Sequence, residues 1–275
     1  MASGDRRGGW PPALTWKHRL RGALIALGDL APDRMRMRAI RGGRLSTMGV
    51  FDPERAFFYV AVPKAASSSI RWFFWRLRGT DPAQLPHGAA HVGSGPYTDL
   101  ASLSPARARS VLRGDETFRF TFVRNPYARL ASAYRDKIAR RFHGGVASEH
   151  LDLLGFSSEC LPSFADFVGR VLRQDDMAAD HHWMAQHRLA MTEVLDYHLI
   201  GKVETFADDF AKVLSRIGLP GELLDTVELR NPTSADERSL VPCLYTDDLA
   251  ERVYRRFRRD FEMFGYEADS YRSAG

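Results

Sequence analysis

Cysteine is nearly absent from this chain of 275 residues: there are two, Cys160 and Cys243. Two are too few for a disulfide framework or a cysteine-rich zinc site. Lysine is almost as scarce. Only Lys17, Lys64, Lys137, Lys202 and Lys212 occur among 39 basic residues, so arginine carries most of the positive charge and a lysine in a special place stands out. Long apolar runs are missing too. The most apolar N-terminal stretch, residues 23–27, stops at Gly28 and Asp29, whereas a membrane-spanning helix needs about 20 such residues. Arg19 and Arg21 precede it, but Asp33 and a string of arginines stand where a secretory signal would place small residues. What is present is ordinary globular composition, 44% hydrophobic and 27% charged, which argues against a disordered or fibrous chain. The net charge of +5 is mild and suits a small polyanion as well as nucleic acid. Residues 1–50 read as a basic, partly ordered leader and residues 51–275 as a single domain of a soluble protein.

Strand, turn and helix occur twice. Residues 56–62 form a continuous apolar, aromatic and β-branched run that ends at Pro63, the pattern of a strand buried on both faces. A small-residue turn follows, then a helix over residues 70–78 with a serine-rich start and a stop at Gly79. Residues 79–103 are rich in Gly, Pro and His and read as a loop. Ser104-Pro105 opens a short helix to about Arg113. Residues 118–123 are a second strand, and Asn125-Pro126 supplies a cap and a first-position proline for a helix running to about Arg141. Further on, the patterns predict a helix over residues 163–173, a short strand over 197–200 closed by Gly201, and a helix over 206–217 stopped by Gly218. Thr246 caps a last helix, with arginines expected in its last turn. The repeated unit predicts an α/β fold with a parallel sheet.

Two strand-to-helix turns carry the chemical signal. In Pro63-Lys64-Ala65-Ala66-Ser67-Ser68-Ser69, small residues let the backbone approach a ligand, and the following helix points free N–H groups at it. A lysine and three hydroxyls add donors, which together make a phosphate or sulfate cradle; an ordinary loop with a serine cap is the plainer alternative. A Walker A loop is not present, because its glycines are absent and Lys64 precedes the small residues. In the second turn, Arg124 sits at the carboxyl end of a strand, where open α/β sheets bind ligands. Ser132, eight residues on, can share the side of the helix start. These two residues would hold a second anionic group, or else pair and pack locally.

The combination resembles a known family. Residues 62–70 look like the 5′-phosphosulfate loop of sulfotransferases that use 3′-phosphoadenosine 5′-phosphosulfate (PAPS), and residues 122–134 look like their 3′-phosphate segment. His182-Trp183, Arg188-Leu189, Tyr197 and residues 200–204 resemble the central block, and Asp260-Phe261-Glu262-Met263-Phe264-Gly265-Tyr266 the C-terminal signature. The four blocks, in order over about residues 56–267, are those of the carbohydrate sulfotransferases of chondroitin, HNK-1 and 2-O-sulfotransferase type. The animal enzymes carry a cysteine pair where Ala190 and Glu193 stand here, and a membrane anchor that is not seen here. Both differences fit a soluble bacterial member in a reducing cytoplasm.

The resemblance implies a P-loop-like three-layer fold with a central, mostly parallel sheet flanked by helices. It implies PAPS as co-substrate, held at its 5′ end by Lys64, Ala66, Ser67, Ser68 and Ser69 and at its 3′-phosphate by Arg124 and Ser132. Lys64 would stabilise the leaving oxygen. His91 is the expected base for the acceptor hydroxyl, with His87 and His182 as alternatives, and His182 is placed on the acceptor side. The Arg230–Ser234 loop is a candidate for the adenine. The acceptor is expected to be a carbohydrate or glycolipid. No metal is expected, since His143 is isolated and the adjacent His181 and His182 should point apart. The specific basic residues sit at strand ends rather than on one aromatic-bearing face, so no nucleic acid is expected. A peripheral membrane contact by the leader stays open. An atypical P-loop small-molecule kinase is the alternative, although no clear Walker B strand supports it.

Overall fold

The computed structural model describes residues 49–84, 95–98, 100–144, 149–157, 159–176, 179–228 and 241–273. Strand β1 (Gly49–Asp52) turns back into β2 (Phe57–Val60). Asp52 fixes this turn, its carboxylate accepting from the Glu54 and Arg55 backbone N–H groups at 2.9 and 3.2 Å. β1 begins at Gly49, inside the span that the sequence assigns to the leader. β2 runs parallel to β3 (Phe118–Val123), and β3 runs parallel to β4 (Leu199–Lys202). The sheet order is β1-β2-β3-β4, with one antiparallel pair at the β1 edge.

Helix α1 (Ser67–Leu77) follows β2, and α2 (Pro105–Arg113) precedes β3. After β3 come α3 (Pro126–Ala133), a π-helical segment (Tyr134–Ala139) and α4 (Arg140–His143). The chain continues through α5 (Glu149–Leu154), α6 (Phe164–Val171) and α7 (Gln186–Leu189) into β4. Beyond it lie α8 (Phe206–Arg216), α9 (Val241–Leu244) and α10 (Asp247–Phe264). Ser104, Asn125, Ser163 and Thr246 each accept a backbone N–H in the first turn of their helices, the role that their short polar side chains predict. Two expectations change. The helix from Asn125 is interrupted by the π-helical segment, and the arginines of α10 lie in its middle rather than its last turn.

Both faces of the sheet are covered by helices. Phe57 and Tyr59 of β2 and Phe120 and Phe122 of β3 pack with α1 and α8, around Ile70, Phe74, Phe210 and Leu214. Phe58 and Val60 point the other way, onto Val111 and Leu112 of α2. Successive residues of a strand alternate in direction, so cover on both sides is the reason that β2 reads as an unbroken apolar run. A third cluster starts at Val62 and Ala65, just past β2, and joins α3, α6 and α10 through Tyr127, Phe167, Trp183 and Phe261. Among the described residues no helix is long and apolar enough to cross a membrane.

β4 departs from the sequence expectation in an instructive way. Gly201 does not stop the strand; it lies inside it, paired with Phe122. A Cβ at this position would fall 2.5 Å from Cε1 of the Phe122 ring. The glycine therefore permits a close approach rather than a turn. Gly201→Ala is expected to destabilise the protein by about 1–3 kcal/mol through overpacking, read as a lower urea midpoint at unchanged slope.

Candidate active site

The first turn, residues 61–66, is strained. Lys64 and Ala66 both have positive φ, 68° and 57°, a conformation that costs a non-glycine residue on the order of 1–3 kcal/mol. The expected serine cap is not there. Ala66 is the N-cap of α1, no side chain caps the helix, and its first turn carries no acidic residue. Ser67, Ser68 and Ser69 are the first helical residues instead. No N-cap side chain therefore answers the positive dipole end of α1.

Lys64 pairs with an acid from a distant segment. Its Nζ lies 2.9 Å from Oδ2 of Asp136 in the π-helical segment, and Lys137 approaches the same oxygen at 3.4 Å. Burial lowers the Lys64 pKa to about 8; Asp136 opposes the shift, while Lys137 and Arg124 add to it. Burial on its own would raise the Asp136 pKa, but Lys64 and Lys137 outweigh it and hold the carboxyl well below its ordinary value. Insertions of π geometry recur at functional sites, and this one carries the partner of Lys64.

Arg124 follows β3 as the Lys64 turn follows β2. The strands are parallel neighbours with Val60 beside Thr121, so both residues emerge at one edge of the sheet, and the charge of Arg124 is felt at Lys64. Gln186 clamps the Arg124 backbone from both sides: its Oε1 accepts from the N–H at 2.9 Å, and its Nε2 donates to the C=O at 2.7 Å. Gln186 is itself held by Asp260, whose carboxylate accepts from the Gln186 N–H at 2.6 Å and the His187 N–H at 2.9 Å. His187 Nδ1 lies 2.6 Å from the same Asp260 Oδ1. Ser132 is buried on α3.

Arg129 joins the halves of the site. Its buried guanidinium donates to the carbonyls of Pro63 at 3.0 Å, Met184 at 2.7 Å and His181 at 3.1 Å. Burial lowers its pKa to about 10, with Asp260 and Asp180 opposing the shift. One side chain therefore pins the Lys64 turn against the segment that carries His182. The His182 Nδ1 lies 2.6 Å from Asp180 Oδ1, and burial drops its pKa to about 3, which leaves the imidazole neutral. His181 and His182 do not point apart as adjacency predicts. Their rings lie 4.1 Å apart, and His181 Nδ1 is 3.6 Å from Asp180 Oδ2. His87, His91 and the Arg230–Ser234 loop lie outside the described residues.

The sequence pointed to Lys64 and Arg124 but not to Asp136, Gln186 or Asp180, and Arg129 was legible only as part of the 122–134 block. Asp260 was legible only as part of the C-terminal block. The Ala190 carbonyl accepts a hydrogen bond from the Tyr197 hydroxyl, and Glu193 pairs with Arg188 and Arg259.

A mostly parallel sheet, helices on both faces and cationic groups at two adjacent strand ends define an α/β protein with its charged turns at the carboxyl ends of neighbouring strands. Comparison with known proteins gives the family. The model described as "Sulfotransferase family" matches residues 48–267, and the chain belongs to that family. It is similar to carbohydrate sulfotransferase 11 of Mus musculus, at 25% identity over 81% of this chain and 68% of the relative. Carbohydrate sulfotransferase 14 of Danio rerio is 27% identical over 78% of this chain and 60% of its own length. For carbohydrate sulfotransferase 8 of Mus musculus the identity is 28%, over 83% and 58%. No solved structure matches the chain.

Three expectations test the geometry. Asp260→Ala removes the buried anion that faces Gln186 and His187, and should cost about 3–5 kcal/mol of stability, read by urea unfolding. With only five lysines in the chain, NMR of the 13C-methylated protein should resolve one lysine that titrates near 8, against an ordinary 10.5. Asp136→Asn removes a partner that favours the charged form, so it should lower that midpoint further.

Proposed function

We propose that this protein transfers the sulfuryl group of PAPS to a hydroxyl of a carbohydrate or glycolipid acceptor, on a P-loop-like three-layer fold. The observation that carries the reading is the placement of Lys64, beside an uncapped helix amino end, and Arg124 at the ends of two parallel neighbouring strands. That spacing suits a nucleotide with an anionic group at each end. The names of the similar proteins support a carbohydrate acceptor.

In this mechanism the α1 N–H groups and the hydroxyls of Ser67, Ser68 and Ser69 hold the 5′-phosphosulfate. Arg124 and Ser132 hold the 3′-phosphate. The acceptor oxygen attacks sulfur in line, a new S–O bond forms, and the bond from sulfur to the bridging oxygen breaks. The acceptor proton passes to His91, and the electron pair stays on the bridging oxygen of the product, 3′-phosphoadenosine 5′-phosphate. Lys64 exchanges its Asp136 partner for this oxygen and stabilises the charge that develops there. The shared hold of Asp136 on Lys64 and Lys137 keeps the ammonium oriented until the donor arrives. His182, pinned beside the Lys64 turn through Arg129, faces the acceptor.

Calorimetry with 3′-phosphoadenosine 5′-phosphate, AMP and ATP tests the reading. Binding should require the 3′-phosphate and weaken at least tenfold, about 1.4 kcal/mol, in Arg124→Ala. Lys64→Ala should fold normally and lose roughly 10²–10³ in turnover. Equal affinity for AMP, or a preference for ATP with magnesium, overturns the proposal in favour of a kinase.

A further inference from the structure

Three imidazoles converge on one carboxylate beside the proposed donor site. Asp180 Oδ1 is 2.6 Å from His182 Nδ1; its Oδ2 is 3.6 Å from His181 Nδ1 and 3.9 Å from His150 Nε2. His150 comes from α5, thirty positions upstream of Asp180 in the chain. One donor atom from each of His150, Asp180 and His182 can be chosen so that all three lie within 4.8 Å of one another.

His150 is the informative member. It is only 3% exposed, and its Nδ1 has no hydrogen-bond partner. At 3.9 Å, its Nε2 is also beyond hydrogen-bond reach of Asp180. The nitrogen that faces Asp180 is Nε2, so an ion in the gap between them would be held by Nε2 and would give this buried ring a polar partner that it otherwise lacks. The gap itself fits an ion. Bonds of about 2.0–2.2 Å to nitrogen and carboxylate oxygen bridge two donors that are too far apart to bond to each other.

We propose that His150, Asp180 and His182 form a binding site for a divalent transition-metal ion, zinc in the first instance. Two nitrogens and one carboxylate oxygen are borderline-soft donors that suit zinc, whereas calcium and magnesium prefer oxygen alone. The half-exposed His181 stands on the solvent side of the same carboxylate and can supply a further donor. Three cations bear on the cluster: Lys137, which Asp136 engages at 3.4 Å, Arg141 at His150, and Arg129, whose guanidinium donates to backbone carbonyls. A bound ion ties α5 to the 180–184 segment. Because Arg129 links that segment to Pro63, it also braces the Lys64 turn. The site stands on these residues alone and does not depend on the identity of the donor nucleotide.

The test is calorimetric titration of zinc chloride into chelator-stripped full-length protein, with cobalt substitution as a spectroscopic check. We expect one zinc ion per chain at micromolar affinity or tighter, a rise in melting temperature with zinc, and visible d–d bands for cobalt in a four- or five-coordinate site. His150→Gln, Asp180→Asn and His182→Gln should each weaken zinc at least tenfold, and His198→Gln should not. Melting curves of the metal-free variants establish that each one folds; Asp180→Asn, which keeps its shape, carries the test where His150→Gln does not fold. No zinc binding below about 100 µM, or unchanged affinity in Asp180→Asn and His182→Gln, overturns the proposal.

Discussion

The site depends on one buried guanidinium. Arg129 is 2% exposed and spends its hydrogen bonds on three carbonyls from two distant segments, Pro63 on one side and His181 and Met184 on the other. Burying an ion costs several kcal/mol, and carbonyl dipoles with the Asp260 and Asp180 charges offset that cost. The rigidity that results sets where Lys64 sits relative to His182. A lysine in this place could not do the same, since it lacks the planar fork that meets three fixed acceptors at once.

A second buried ion works through the backbone. Asp260, near the end of α10, receives the two N–H groups that open α7, and the first residue of α7, Gln186, brackets the Arg124 peptide. The C-terminal signature is thus wired to the end of β3. Its aromatic residues do pack, Phe261 and Phe264 being buried, but the acid in front of them positions the arginine. Arg129 and Asp260 are coupled in charge as well as in place, each lowering the cost of burying the other.

Lys64 is held under opposing influences, as the proposed exchange of partners would require. Its backbone is in a disfavoured conformation, its ammonium is largely desolvated, and one carboxylate in a π-helical turn balances it. An anion entering at the amino end of α1 competes with Asp136 for the same donor. Desolvation weakens the hold of the ammonium on its proton and strengthens its electrostatic pull on developing negative charge.

What the sequence determined was local. Buried runs marked β2 and β3, Asn125 and Thr246 marked helix starts, and a small-residue turn and an arginine-bearing turn marked two neighbouring strand ends, because each pattern lies within a few consecutive residues. Four such blocks in order were enough for the family. The edge strand β1, the true span of β4 around Gly201 and the π-helical insertion were not legible, since each is set by a neighbour rather than by its own residues. The same holds for the partners that make the site. Lys64 meets Asp136 across 72 positions, Arg124 meets Gln186 across 62, and Gln186 meets Asp260 across 74. Only the tertiary structure decides such pairs, because the energy that selects them comes from burying charges together, and burial is a property of the folded whole.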